Sequence, residues 1–188
     1  SVGNEENKMG IRTSNTTDVV FEDMRVPASA MVGEEGKGFV ICMETLDITR
    51  ALMGIGATGI MQRCVDEAVA YSKQRITFGQ PIGKFEAIQF MIADMEIKTE
   101  TARQMSLHAL KLHEEGLPYG KESAIAKCYG GDIAVQVALD AIQILGGYGY
   151  SREYPVEKLL RDAKIFQIYE GTNQIQRSVI AKSVIKGR

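Results

Sequence analysis

Three short segments of this sequence carry residue types that chemistry needs. The first is Ile168-Tyr169-Glu170-Gly171-Thr172-Asn173-Gln174, where one carboxylate follows Ile165, Phe166, Ile168 and Tyr169 and precedes a glycine. A carboxylate among apolar neighbours suits general-base work, because little water competes for the proton it takes. The same residues also read as a helix start, with Glu170 and Thr172 in a capping turn. The second segment is Arg75-Ile76-Thr77-Phe78-Gly79-Gln80-Pro81-Ile82, a link between two helical stretches. A guanidinium, an aromatic ring and a glycine at such a link can hold a phosphate-bearing ligand. A solvated arginine with a helix stop at Gly79 gives the same pattern. The third is Asp47 and Arg50, three residues apart and therefore on one helix face. Without a ligand beside them they form a surface ion pair of small worth.

Two other patterns point away from chemistry. Gly54-Ile55-Gly56-Ala57-Thr58-Gly59 matches the dinucleotide fingerprint, but it lies inside a helical run from Phe39 to Gln74. A helix interior has no free N–H groups for a phosphate, so the glycines read as a face that another helix approaches closely. Cys42, Cys64 and Cys128 form no CxxC pair, and His108 and His113 are the only histidines. A zinc site and a disulfide framework are both disfavoured, and buried free thiols are expected.

The elements that must position these residues are helical. Ile88, Met91, Ile92, Met95, Thr99, Ala102, Met105, Ala109 and Leu110 recur at three- and four-residue spacing, with Glu96, Glu100, Arg103 and Lys111 elsewhere. That helix stops at Glu115-Gly116-Leu117-Pro118. Lys121 to Leu145 is more apolar than a surface helix should be, and its polar positions Asp132, Gln136, Asp140 and Gln143 form one narrow stripe, which predicts a mostly buried helix that also meets partner chains. Pro155 can open a short helix to about Phe166, and a last helix runs from about Gly171 to Lys186. Together these predict an all-α fold, an antiparallel four-helix bundle with additional short helices. Residues 1–33 differ. Thr13 to Thr17 is turn-like, and Asp18 to Pro27 holds a short β-like run closed by proline.

The chain has 188 residues, of which 45% are hydrophobic and 24% charged, enough to build a core. Lysine and arginine number 22 against 24 acidic residues, a net charge of −2 that offers no general attraction to nucleic acid or anionic membrane. No apolar run is long enough for a transmembrane helix, and Ser1 to Gly10 lacks the build of a signal peptide.

Taken together, the segments resemble the C-terminal half of the acyl-CoA dehydrogenase family, nearest its short- and medium-chain members. The resemblance rests on Leu46-Asp47-Ile48-Thr49-Arg50, Arg75-Ile76-Thr77-Phe78-Gly79, Ile92-Ala93-Asp94-Met95, Gln143-Ile144-Leu145-Gly146-Gly147-Tyr148-Gly149, Tyr154-Pro155-Val156-Glu157-Lys158, Leu160-Arg161-Asp162-Ala163-Lys164 and the segment around Glu170, in matching order and spacing. It implies an FAD enzyme that removes an α-proton from an acyl-CoA thioester while the β-hydrogen leaves as hydride. Glu170 stands where short- and medium-chain members keep the base, and Thr49 where long-chain and isovaleryl members keep theirs. By the same resemblance Arg75, Phe78, Gln143, Gly146 and Gly147 contact the FAD of a neighbouring subunit. Thr172 and Gln174 contact FAD beside the base. Asp47 and Arg50 contact the acyl-CoA, and Gly171 allows its close approach. An electron-transfer flavoprotein is the implied acceptor and a homo-oligomer, tetramer or dimer, the implied assembly. Glu86 departs from the family, which usually has glutamine there. Family members are longer, so residues 1–33 read as the end of the middle β-domain and a linker, and 34–188 as the helical domain of a fragment unable to turn over efficiently alone. The reduced thiols fit a bacterial cytoplasm, or alternatively a mitochondrial matrix.

Overall fold

A computed structural model describes residues 1–187. Helix α1 spans Gly38–Gln74, with no proline to interrupt it. It ends at Arg75, whose backbone is extended, and the chain reverses in a two-stranded hairpin, β1 (Ile76–Thr77) and β2 (Gln80–Pro81), with Thr77 opposite Gln80. Phe78 and Gly79 form the tip at φ +52° and +79°. A two-residue turn with both φ values positive matches the twist of the flanking strands. Gly79 therefore serves this turn rather than stopping the helix. Helices α2 (Glu86–Glu114), α3 (Gly120–Leu145), α4 (Val156–Ala163) and α5 (Asn173–Lys186) follow.

The order is up, down, up, down. Arg103 on α2 donates to Gln62 on α1 at 2.9 Å, while Gly83, just before α2, lies against Ser72 near the end of α1. Gly120 opens α3 beside Asp47, and Tyr71 and Tyr148 meet edge to face beyond its far end, so α1 and α3 run parallel. Asn173 on α5 bonds the Cys128 carbonyl, and Ser183 shares a pocket with Gly120, so α5 runs back along α3. The core is rich in alanine: Ala57 and Ala68 of α1, Ala102 of α2, and Ala134, Ala138 and Ala141 of α3 are fully buried. Small side chains let the helices approach closely, and Met61 and Met95 fill the remaining volume, each worth about 1.5–3 kcal/mol on full burial. On α2 Met95, Thr99, Ala102 and Ala109 of the expected stripe are buried, with Ser106 beside them, while Ile88, Met91, Ile92, Met105 and Leu110 are half-buried.

Helix α3 touches α1, α2, α4 and α5. Much of its broad apolar surface is thereby covered within the chain. Leu139 stays half exposed on this helix, where the expected partner chain would meet it. Its polar stripe is used for bonding, with Asp140 meeting Lys98 at 3.0 Å and Asp132 accepting from three side chains.

The N-terminal segment forms no strand over Asp18–Pro27. One isolated antiparallel bridge, Val2 with Val19, is the only β pairing before α1 among the described residues. A single pair of extended stretches has no further neighbour with which to build a ladder. Residues 9–11 instead dock on α4. The Ile11 N–H donates to buried Asp162 at 2.7 Å, and Arg161 donates to the Met9 carbonyl at 2.9 Å. The cysteine expectation also needs correction. Cys64 and Cys128 are buried, but Cys42 is exposed because the first turns of α1 extend past the bundle. Burial pushes the Cys64 thiol up to about 12, so it stays protonated. No described helix is long and apolar enough to cross a membrane.

Candidate active site

Glu170 lies outside the last helix. It has φ +56°, and Gly171 follows at φ +87°. The backbone of an L-residue with a Cβ is disfavoured there by roughly 1–2 kcal/mol, so the turn must be held by its surroundings. The side-chain amide of buried Gln176 donates to the carbonyls of both Glu170 and Gly171, each at 3.1 Å. The Nζ of Lys127, on α3, donates to the Gly171 carbonyl at 2.7 Å. A Cβ at position 171 would stand 2.7 Å from that Gln176 nitrogen. Glycine is therefore required by the turn itself.

The turn presents the half-buried Glu170 carboxylate to α1. There Thr49 Oγ1 donates to Glu170 Oε2 at 2.7 Å, across 121 residues of sequence. One carboxylate oxygen is fixed and the other stays available. Burial, and secondarily the Glu170 carboxylate, push the Tyr169 phenol up to about 12, so Tyr169 stays neutral. Thr172 caps α5, its hydroxyl accepting from the Ile175 N–H at 3.3 Å. Of the two capping candidates, only Thr172 caps. Gln174 is exposed in the first turn of α5.

The Asp47–Arg50 pair flanks Thr49 within the same turn of α1. Arg50 is buried, its Nη1 donates to Asp47 Oδ1 at 2.5 Å, and its Nε has no partner among the described residues. A buried guanidinium with an unsatisfied N–H is far from an idle surface ion pair.

The other candidates gather at the opposite end of the bundle. Arg75, Gly146 and Gly147 line one cleft of about 570 Å³, with Tyr71, Tyr148 and Glu153. Gly146 ends α3 at φ +61°, and a Cβ on either glycine would meet open space. Gln143 is exposed one turn earlier. Phe78 is 92% exposed on the hairpin tip, its ring 6.3 Å from Phe85. Glu86 is the first residue of α2, exposed, where a carboxylate favours the positive end of the helix dipole. Arg75 follows Thr49 by 26 residues of helix, which at 1.5 Å per residue is about 39 Å. The structure therefore brings Glu170, Gly171, Thr172, Asp47 and Arg50 into one region and Arg75, Gly146 and Gly147 into another. It does not join the two groups within one chain. The fingerprint glycines belong to neither: Gly54 packs against Ser106 and Ala126, inside α1.

Residue reasoning missed the supports of the turn. Lys127, Gln176 and Asn173 are all buried, and Asn173 donates to the Cys128 carbonyl at 3.0 Å and to Asp132 at 2.8 Å. The only signal in the sequence was a lysine set in the apolar run Ala124-Ile125-Ala126-Lys127-Cys128.

Residues 36–185 match the family described as acyl-CoA dehydrogenase, C-terminal domain. The chain is similar to an acyl-CoA dehydrogenase of Bacillus subtilis, 48% identical over all of this chain and 49% of that protein. It is likewise similar to the short-chain-specific acyl-CoA dehydrogenase of Megasphaera elsdenii, 49% identical over 98% of this chain and 48% of the other. The solved butyryl-CoA dehydrogenase of Megasphaera elsdenii superposes with a TM-score of 0.96 at 49% identity, over 98% of this chain and 48% of that one. The chain thus spans about half the length of the curated relatives it matches.

Proposed function

This chain belongs to the acyl-CoA dehydrogenase family, and from that premise we propose that it serves as the C-terminal domain of an FAD-dependent enzyme forming an α,β double bond in a short-to-medium, straight or branched, acyl-CoA. The observation that carries the reading is the Thr49–Glu170 hydrogen bond at 2.7 Å, which ties a carboxylate on a left-handed turn to the helix bearing Asp47 and Arg50. The short-chain and butyryl-CoA names of the Megasphaera relatives support the substrate class.

In this reading Glu170 takes the α-proton with the oxygen that Thr49 leaves free. The thioester α-proton is weakly acidic, so its carbonyl must be polarised as charge develops. The turn's own carbonyls are engaged by Gln176 and Lys127, and the Glu170 N–H is the donor we assign to the thioester oxygen. Asp47 and Arg50 bind the acyl-CoA, with the unpaired Arg50 Nε as one donor. Gly171 keeps the wall beside the base free of a side chain. Substrate entry excludes water and strengthens each of these interactions.

The residues present fit FAD. Arg75 has no acidic partner among the described residues and lines an open cleft beside two glycines without side chains. Arg75, Phe78, Gln143, Gly146 and Gly147 would hold the cofactor of a neighbouring subunit, and Thr172 and Gln174 the chain's own. FAD, when bound, supplies the acceptor for the β-hydride. The separation of about 39 Å along α1 supports the two-subunit arrangement, a dimer or tetramer. An electron-transfer flavoprotein is the proposed onward acceptor. A non-catalytic helical module would have no use for a strained carboxylate turn beside a buried, unsatisfied arginine. The test is the visible spectrum of the full-length protein that carries this domain. Bound flavin should bleach when butyryl-CoA is added without oxygen. A protein without flavin, or flavin that keeps its absorbance with straight and branched acyl-CoA alike, contradicts the proposal.

A further inference from the structure

Lys127 is the largest fully buried side chain of the domain, 1% exposed. Its ammonium makes no salt bridge among the described residues. Its hydrogen bonds go instead to the Gly171 carbonyl at 2.7 Å and Asn173 Oδ1 at 2.8 Å. A buried charge without a counter-ion in contact costs stability, and an apolar residue of similar size would avoid that cost. Nothing in the packing of α3 calls for a cation, since Ala124, Ala126, Cys128 and Gly130 around it are ordinary small core residues. What the ammonium reaches is the turn that carries Glu170. A charge-assisted hydrogen bond is roughly twice as strong as a neutral one, and this one falls on a turn with two consecutive positive φ angles.

We propose that Lys127 is a positioning residue for Glu170: its ammonium pins the Gly171 carbonyl and so holds the left-handed turn that delivers the carboxylate to Thr49. The inference rests on Glu170 being the base. Gln176 shares the work by donating to the two successive carbonyls of Glu170 and Gly171. Asn173 locks the arrangement to α3, because its amide bonds Cys128 and Asp132 while its oxygen accepts from Lys127. The charged and titratable groups around Lys127 are Cys128 and Asp132 on its own helix, Arg50 on α1 and Glu170 on the turn. Burial pushes the ammonium down to about 8, Arg50 adds to that, and Cys128, Asp132 and Glu170 oppose it. Positioning should then weaken as pH rises through that range, because a neutral amine is the poorer donor.

Acetyl-CoA isolates the step: it has α-protons but no β-carbon, so it can exchange protons and cannot be dehydrogenated. The experiment follows exchange of its α-protons into D2O on the full-length flavoprotein, across pH 6–10. It compares wild type, Glu170→Gln, Lys127→Met and Lys127→Gln. KM and kcat for butyryl-CoA and thermal melts accompany each. Both Lys127 variants should slow exchange and kcat at least about tenfold, with KM within about threefold, and should lack the wild-type decline near pH 8. Wild-type rates with the alkaline decline intact in both variants overturn the proposal. Loss of the cooperative melt in both also overturns it, assigning the lysine to folding alone. Equal exchange by wild type and Glu170→Gln removes the base assignment, and the positioning role falls with it.

Discussion

Glu170, the proposed base, is held in place by residues drawn from α1, α3 and α5. Its φ of +56° is tolerated because Gly171 takes φ +87°, Gln176 and Lys127 bond the turn's carbonyls, and Thr49 bonds the carboxylate. Thr49 is the simplest of these to test. A hydrogen bond to a charged group is worth about 1.5–3 kcal/mol, and part of that serves to orient the base. Thr49→Val, which keeps the shape and removes the hydroxyl, should lower kcat by about tenfold while the protein still melts cooperatively, within about 10 °C of the wild type; unaltered kcat would show that the hydroxyl does not orient the base. Glu170, Gly171 and Thr172 were legible in the sequence as a local cluster, although their roles were not. Thr172 proved to be the cap, while Gly171 is demanded by its backbone and by the 2.7 Å approach of Gln176. Thr49 was noticed only as a position where relatives differ. Its bond to Glu170 spans 121 residues, and no local pattern reports such a distance. Lys127 was hidden for the opposite reason, since its neighbours read as plain helix core.

At the scale of elements, the glycine-rich run inside α1 is the clearest device. Gly54 lies where α1, α2 and α3 converge. A Cβ there would stand 2.4 Å from Ser106 Oγ and 3.2 Å from the Ala126 backbone, whereas at Gly59 it would meet open space. Gly54→Ala should therefore cost about 1–3 kcal/mol through overpacking, while Gly59→Ala should gain up to about 1 kcal/mol from helix propensity. Denaturant melts of the two variants check this, and equal effects would mean the helices do not meet at Gly54. The helices were readable because long amphipathic runs leave a strong periodic signal. The link after Gln74 was not, because a two-residue hairpin with phenylalanine in a left-handed position has no common sequence signature. The broad apolar surface of α3 was visible, but its meaning was not. Periodicity shows that a face is buried without showing whether α1, α2, α4, α5 or another chain covers it.

For the whole molecule, the governing fact is the separation of the two groups of candidate residues. The base region and the Arg75 cleft stand about 39 Å apart along α1, so neither completes the other within one chain. The proposed neighbouring subunit would resolve this, and Phe78, 92% exposed on a strained tip beside the cleft residues, is the residue we propose meets it. In the full-length protein Arg75→Ala should reduce bound flavin per subunit severalfold while the helical circular-dichroism signal holds. Full flavin content would remove Arg75 from the cofactor site. The chain spans about half the length of the curated relatives it matches. The central claim, that Glu170 takes the α-proton, is tested most directly by rapid mixing of the full-length flavoprotein with butyryl-CoA, wild type against Glu170→Gln. The account predicts that the variant binds flavin and acyl-CoA as before but bleaches 10²- to 10⁴-fold more slowly, the usual worth of a general base. Bleaching at the wild-type rate would contradict it.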